Sequence, residues 1–478
     1  MRRSSLLLAF AILPVVAVGC TSTTTPGDGQ TTPVPTGSTT PPGPTSPKPD
    51  LDAMVRGGDC TAPTGTPVEH QGDITEDQVW RADVVHKVTS NLRILATVTV
   101  EACARIELGD SKGIQVGGSP KVGKLLVQGK RDGGKLLPVV FTRQDAQKAW
   151  GAIVLDATGT ADFSTAVLDG GDSFTSQQNG GGMLRVFGKS STSEGGTPVV
   201  TKSLRSDWLL VNGADAVGIN LLRYSGFTDD STGVAVRGTK KDALRIEVGA
   251  SAALPTELSL TGNGKNDVIL DQAWGGTLST TVKAKGVPYR FEGALYLAPV
   301  EDGAPAVLTV EPGVTLRFDT AKGSSGIYVG TSDTRQGQIV AKGTTDAPIR
   351  FTSAKDAPTA GDWMGIYFRS YPSSGTVIDN AILEYAGGES AANGFGCGPK
   401  DNDSTILILG QRPDDAWVKN STFRSGGGFA GIVLGWKSDM DGPDFVTTNR
   451  FENMPSCGVS RYRSANNSCP GTGDPVCF

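Results

Sequence analysis

Val307-Leu308-Thr309-Val310-Glu311-Pro312-Gly313-Val314-Thr315-Leu316-Arg317-Phe318 is the stretch on which the fold turns. Apolar residues alternate with polar ones on both sides of a Pro-Gly turn, the period of two that sends one set of side chains into a core and the other outside. A similar pattern stands roughly 210 residues earlier, as Thr97-Val98-Thr99-Val100-Glu101-Ala102-Cys103-Ala104-Arg105-Ile106-Glu107-Leu108. The landmarks that follow recur in order. Gly113-Ile114-Gln115-Val116-Gly117 returns as Gly326-Ile327-Tyr328-Val329-Gly330, and Pro138-Val139-Val140-Phe141-Thr142 as Pro348-Ile349-Arg350-Phe351-Thr352. Trp150, with Ile153 and Leu155, returns as Trp363 with Ile366 and Phe368, and Asp77-Gln78-Val79-Trp80 is echoed by Asp271-Gln272-Ala273-Trp274. A module of about 200 residues is therefore duplicated in tandem.

Within each copy, runs such as Leu316-Arg317-Phe318 and Ile366-Tyr367-Phe368 are separated by Gly, Asn, Asp or Ser. Many short strands between turns allow a sandwich, a propeller or a solenoid. Thr405-Ile406-Leu407-Ile408-Leu409-Gly410, then Trp417 to Phe423, then Gly431-Ile432-Val433-Leu434 repeat an apolar-in, polar-out pattern. Their spacing of roughly 20 to 25 residues is that of one solenoid coil. Helical windows are nearly absent, Thr142 to Ala149 being the best. Trp150 and Trp363 read as structural, since each opens an apolar run at the same place in its copy.

The succession Thr309 to Val314, Gly337 to Thr344, Pro348 to Ser353, Trp363 to Ile366 and Ala381 to Gly388 resembles the right-handed parallel β-helix repeat proteins of bacterial envelopes, which share the pectate-lyase-like architecture. The resemblance covers residues 267–478 well and residues 73–266 more loosely, with Ala102-Cys103 in place of Pro-Gly. It implies an all-β, right-handed parallel β-helix (solenoid), and it implies a location more than an activity. Two tandem modules are expected, residues 51–266 and residues 267–478.

The chain opens with Met1-Arg2-Arg3-Ser4-Ser5 and an apolar run from Leu6 to Val18, the order of a secretion signal over residues 1–20. That run is too short for a lasting membrane span. Ala17-Val18-Gly19-Cys20 resembles the lipobox of bacterial lipoproteins, which implies lipidation of Cys20. Thr21 rather than Asp follows it, which among such proteins implies passage to the outer membrane, with the folded part exposed at the cell surface. Residues 21–50 are Thr, Pro, Ser and Gly with almost nothing apolar, the composition of a disordered tether.

The net charge is −5 and only 19% of residues are charged, with no basic cluster, so nucleic acid is not an expected partner. Besides Cys20 there are Cys60, Cys103, Cys397, Cys457, Cys469 and Cys477, an even set that in an exported chain points to disulfides. Cys60 with Cys103 is the expected first bridge. In the tail, proximity favours Cys397 with Cys457 and Cys469 with Cys477, although the spacing leaves three pairings open.

Catalytic signatures are scarce. Lyases of this shape pair Arg or Lys with carboxylate-bound calcium, and hydrolases use clustered aspartates. The hydrolases' Asn-Thr-Asp, Gly-His-Gly and Arg-Ile-Lys motifs are missing, and His70 and His86 are the only histidines. Asp439, Asp441 and Asp444 surround a Gly turn and form the one candidate calcium site, set against a plain Asp-rich turn. Alternation places Tyr328 and Tyr367 outside with Arg350 and Arg369, a candidate glycan-binding stripe set against a ladder that merely covers a sheet. The expected function is a lipid-anchored, non-catalytic envelope scaffold contacting polysaccharide or envelope proteins, and the runner-up is a lyase-like or hydrolase-like enzyme.

Overall fold

The computed structural model describes residues 48–172, 181–189, 198–272, 279–321, 323–369, 372–389, 403–410, 413–436, 442–461 and 476–477. Cys20, the signal segment, nearly all of the tether, Cys397, Cys469, Asp439 and Asp441 lie outside them. No helix among the described residues is long and apolar enough to cross a membrane.

The alternating runs form strands, and among the described residues nearly all pair in parallel with strands one coil away, the exceptions being the hairpin of Lys130–Asp132 with Lys135–Leu137 and the tail strand Val476–Cys477. Ile114–Val116, for example, lies between Val85–Ile94 and Ile153–Leu155. Stacking of this kind along the whole chain makes a parallel β-helix. Ile74 pairs with Ile94, 20 residues on, whereas Leu383 pairs with Phe423, 40 residues on. Coils thus exceed the expected length where loops are inserted at corners, while the strands keep their places. Thr142 to Ala149 is one such corner and carries no helix.

The inward residues stack on their counterparts. Phe318 lies between Phe291 and Trp363, with ring centroids 5.4 and 4.1 Å away. Trp150 and Trp363 are fully buried, and each indole N–H donates to a carbonyl of the following coil, that of Asp169 at 2.7 Å and that of Glu384 at 2.9 Å. Each buried Phe or Leu contributes about 1.5–3 kcal/mol, so the continuous inner column supplies most of the cohesion.

Upstream, each coil runs through a first face (Thr97–Glu101, then Gly123–Gln128), a second face (Arg105–Leu108, then Val139–Arg143) and a third face (Ile114–Val116, then Ile153–Leu155). The second face ends at Glu257–Thr261, which pairs only with Gly233–Arg237. In the first face the 3-10 turn Val248–Ala253 replaces a strand. A fourth face begins at Ala294–Leu297. The third face alone passes through, and Lys265–Asp271 meets Tyr289–Phe291 by two residue pairs, Val268 with Tyr289 and Ile269 with Arg290.

This handover shifts the phase of the duplication. Arg105–Leu108 lies in the second face, but its sequence counterpart Thr315–Phe318 lies in the third, and Ile114–Val116 of the third face corresponds to Gly326–Val329 of the fourth. Register also corrects the upstream echo. Gln78 pairs with Val98 as Thr280 pairs with Leu308, so the counterpart of Gln78–Trp80 is Thr280–Val282, not the stretch after Asp271.

The sequence assigns Lys48 to Asp50 to the tether, yet these residues belong to the folded part. Lys48 Nζ donates to Ser259 Oγ at 3.0 Å, and the Asp50 side chain caps the helix Leu51–Val55. That helix lays Met54 on Val140, Val167, Leu210 and Ala235, which point out of the second face. Its five residues hold no periodic pattern long enough to detect. The segment ends at a disulfide between Cys60 and Cys103, as expected.

The tail differs. Cys457 is bonded to Cys477, so neither the Cys397–Cys457 nor the Cys469–Cys477 pairing holds. The reason is strand geometry. The chain returns antiparallel along Cys457–Arg461, placing Cys477 opposite Ser460.

Candidate functional site

The densest chemistry lies outside the third face at the handover. Register aligns Arg185, Asn220, Arg245, Ile269, Arg290 and Arg317 in one outward column. Glu247 and Asp271 are paired beside it, and Glu292 and Asp319 follow the paired residues Phe291 and Phe318. Arg290 is central. Its Nε donates to both oxygens of Asp267 at 3.0 and 3.1 Å, and its terminal nitrogens reach Asp242 at 2.5 Å, Glu292 at 2.6 Å and Asp319 at 3.1 Å. Arg245 binds Asp271 at 2.8 Å and Glu292 at 3.0 Å. The Arg290 side chain is 3% exposed and that of Asp267 is 1% exposed. Burial alone would lower the Arg290 guanidinium, but the carboxylates of Asp267 and Asp242 outweigh it and raise it.

Further along, Glu384 is held by Arg350 and Arg424, each at 2.6 Å. Burial would raise its carboxyl, and those two arginines bring it below the usual range. These donors and acceptors are spent on one another across coils, the geometry of ties rather than of an open reaction centre. Asp362 is also tied, but within its own coil. It accepts from Ser353, Lys355 and Thr359, and although burial opposes it these bonds bring its carboxyl down to about 2.

Burial pushes the Glu247 carboxyl up to about 7. Its oxygens accept from the backbone N–H groups of Arg223 and Tyr224, which have φ of 55° and 54°. These two successive N–H groups turn towards one acceptor, and Glu247 supplies it from the next coil. Its place is that of a corner cap.

The expected glycan stripe is divided by the structure. Tyr328 and Tyr367 lie outside the fourth face, but Tyr367 is fully buried in a small outer cluster with Met364, Leu407, Leu409, Ala430 and Val433. Alternation finds the side of the sheet and cannot see what covers it. Arg350 is on another face, tied to Glu384. Arg369 sits over the Tyr328 ring, its guanidinium carbon 5.2 Å from the centroid. Tyr296, which the sequence did not single out, stacks on Tyr328 at 5.0 Å and is 44% exposed. Its signal was the alternation of Leu295-Tyr296-Leu297, short and far from the quoted motifs.

Of the candidate calcium ligands, Asp444 accepts from the N–H groups of Val446 and Thr447 and from the Thr447 hydroxyl, which hold its carboxyl below the usual range. That is a turn cap. Among the described residues no group of three or more His, Cys, Asp or Glu could hold a metal ion.

The decisive comparison falls on the second copy. Residues 276–406 match the family described as "Pectate-lyase like beta helix domain". The chain therefore carries a pectate-lyase-like β-helix domain there. Neither a curated protein nor a solved structure matches the chain.

Proposed function

We propose that the chain is a membrane-tethered, non-catalytic β-helix scaffold of a bacterial cell envelope, exposing its exterior to polysaccharide or neighbouring envelope proteins. The observation that carries this reading is the use of charge. Arg245, Arg290, Arg350 and Arg424 are each engaged by carboxylates, and apart from Glu292's bond to Arg290 and Asp242's to Arg245 these ties reach across coils, so the third face spends its charge on cohesion. The basic head, the apolar run and Ala17-Val18-Gly19-Cys20 support the tether, with a lipid on Cys20 holding the protein at the outer membrane. Tyr296, Tyr328 and Arg369 support glycan contact, because an exposed phenol edge beside a guanidinium offers both stacking and hydrogen bonds. Residues 48–478 applied to a glycan array should bind in a manner lost on Tyr296→Ala. Binding unaffected by that change places the contact elsewhere, and no binding to any glycan removes polysaccharide from the reading. Cys20→Ser should abolish acylation and membrane fractionation.

The match over residues 276–406 favours one second reading, a lyase-like enzyme. Turnover of acidic polysaccharide by the purified chain, abolished by Arg350→Ala or Arg369→Ala, would replace the first reading with the second.

A further inference from the structure

Arg185 stands apart from the other arginines of its column. It is 8% exposed, yet among the described residues no acid is paired with it and its Nε has no hydrogen-bond partner. Desolvation lowers its guanidinium with nothing set against it. Two residues on, the Phe187 ring centroid lies 5.2 Å from the Arg185 guanidinium carbon and 5.9 Å from that of Arg223, a residue exposed at the corner of the next coil. Two cations thus converge on one ring. Asp156 accepts from the N–H of Ala157 at 2.8 Å, and Glu247 caps the backbone N–H groups of Arg223 and Tyr224. A buried guanidinium without a counter-charge is unfavourable, and a second cation at the same ring adds repulsion. The arrangement is balanced only when an anion joins it.

We propose that Arg185 and Arg223, on two coils and sharing the Phe187 ring, form a binding site for an oxyanion, a carboxylate or phosphate group of a ligand. Arg223 receives the group at the mouth, and Arg185 supplies the planar fork of donors within. The ring attracts both guanidiniums and lends the site an apolar wall. This site is independent of the membrane tether and of the Tyr296 edge, so it stands or falls separately from the proposed function.

The test is thermal melting of the detergent-solubilised full chain in sodium phosphate and in sodium glucuronate, each against sodium chloride at equal ionic strength. A saturable rise in Tm with either salt over chloride supports the site, and the salt that acts tells phosphate from carboxylate. Arg185→Met should abolish that rise while leaving Tm in chloride equal to or above wild type, because it removes an unbalanced buried charge. Arg223→Gln should raise the half-saturating concentration about tenfold. No rise with either anion, a rise that survives Arg185→Met, or a lower Tm of Arg185→Met in chloride each overturns the proposal, the last because it marks Arg185 as a structural residue.

Discussion

Replacing Arg290 by Met should loosen the solenoid at one place. Across the handover only the third face is continuously paired among the described residues, and one step of it rests on two residue pairs. Arg290 reinforces that step, reaching Asp242 two strands back, Asp267 one strand back and Asp319 one strand on. Met keeps the methylene bulk and removes the charge, leaving Asp267, 1% exposed, with only the more distant Arg317 at 3.8 Å. Breaking a buried pair in this way costs about 3–5 kcal/mol. Because a solenoid transmits stability only between neighbours, the loss should stay local. Hydrogen exchange read by mass spectrometry should show peptides over Lys265–Asp271 and Tyr289–Phe291 exchanging about 10²- to 10³-fold faster, with much smaller change in Gly123–Gln128 or Ser404–Gly410. Limited proteolysis should cut first between residues 262 and 293. At low pH the difference should shrink, since the stranded carboxylates then take up protons. Arg105→Met, which breaks a pair whose arginine side chain is 45% exposed, serves as control at about 0.5 kcal/mol or less. Acceleration at the junction below about tenfold, or spread evenly along the chain, refutes the idea that this network holds the two halves together.

His70, stacked on Trp80 and hydrogen-bonded to His86 at 2.9 Å, is lowered from 6.5 to about 4 by burial and by its neighbour. The folded form keeps it neutral, so its contribution is whole above pH 6.5 and is lost as pH falls towards 4, by about 1–2 kcal/mol after allowance for partial exposure. Urea melts from pH 7 to 4 should show that slope flattened by His70→Gln, and an unchanged slope sinks the assignment. Trp150→Phe and Trp363→Phe each leave one carbonyl without its indole donor, that of Asp169 or Glu384, and should cost about 1–3 kcal/mol by chemical denaturation. A cost for one and none for the other would contradict their equivalent roles. Non-reducing peptide mapping should find Cys60 joined to Cys103 and Cys457 joined to Cys477. A Cys469–Cys477 peptide would contradict the antiparallel return of the tail.

Whatever depended on local alternation could be read from the sequence. The strands and the buried tryptophans follow from patterns within a few residues, the coil spacing favoured a solenoid, the family resemblance implied the β-helix, and the Cys60–Cys103 bridge followed from the place of the two cysteines at the start of the first copy. What depended on register could not. Arg290 and Asp242 are 48 residues apart, and only the stacking of coils of unequal length brings them together. Tyr367 alternates outward as Tyr328 does, but burial of the outer side of a sheet comes from other segments and leaves no mark in the strand. Arg185 had no motif at all, since its significance lies in lacking a partner that its column-mates possess.

The phase shift bears on where function can lie. Inward counterparts of the two copies remain equivalent: Ile106 and Leu316, Leu108 and Phe318, Ile114 and Ile327, Val116 and Val329 are all at most 1% exposed. Outward counterparts do not, for Glu107 becomes Arg317 and Gln115 becomes Tyr328. The inner column must fill the same cross-section at every level, so it holds side-chain volume nearly constant. The outer residues of the second copy stand on a different face from those of the first and meet different neighbours, which removes any packing reason for the two to stay alike. Arg317 accordingly joins the charge network through Asp267, 3.8 Å away, while Glu107 pairs locally with Arg105. A duplication that rotates by one face therefore yields a solenoid whose outward counterparts, Glu107 and Arg317 or Gln115 and Tyr328, stand on different faces and do different chemistry.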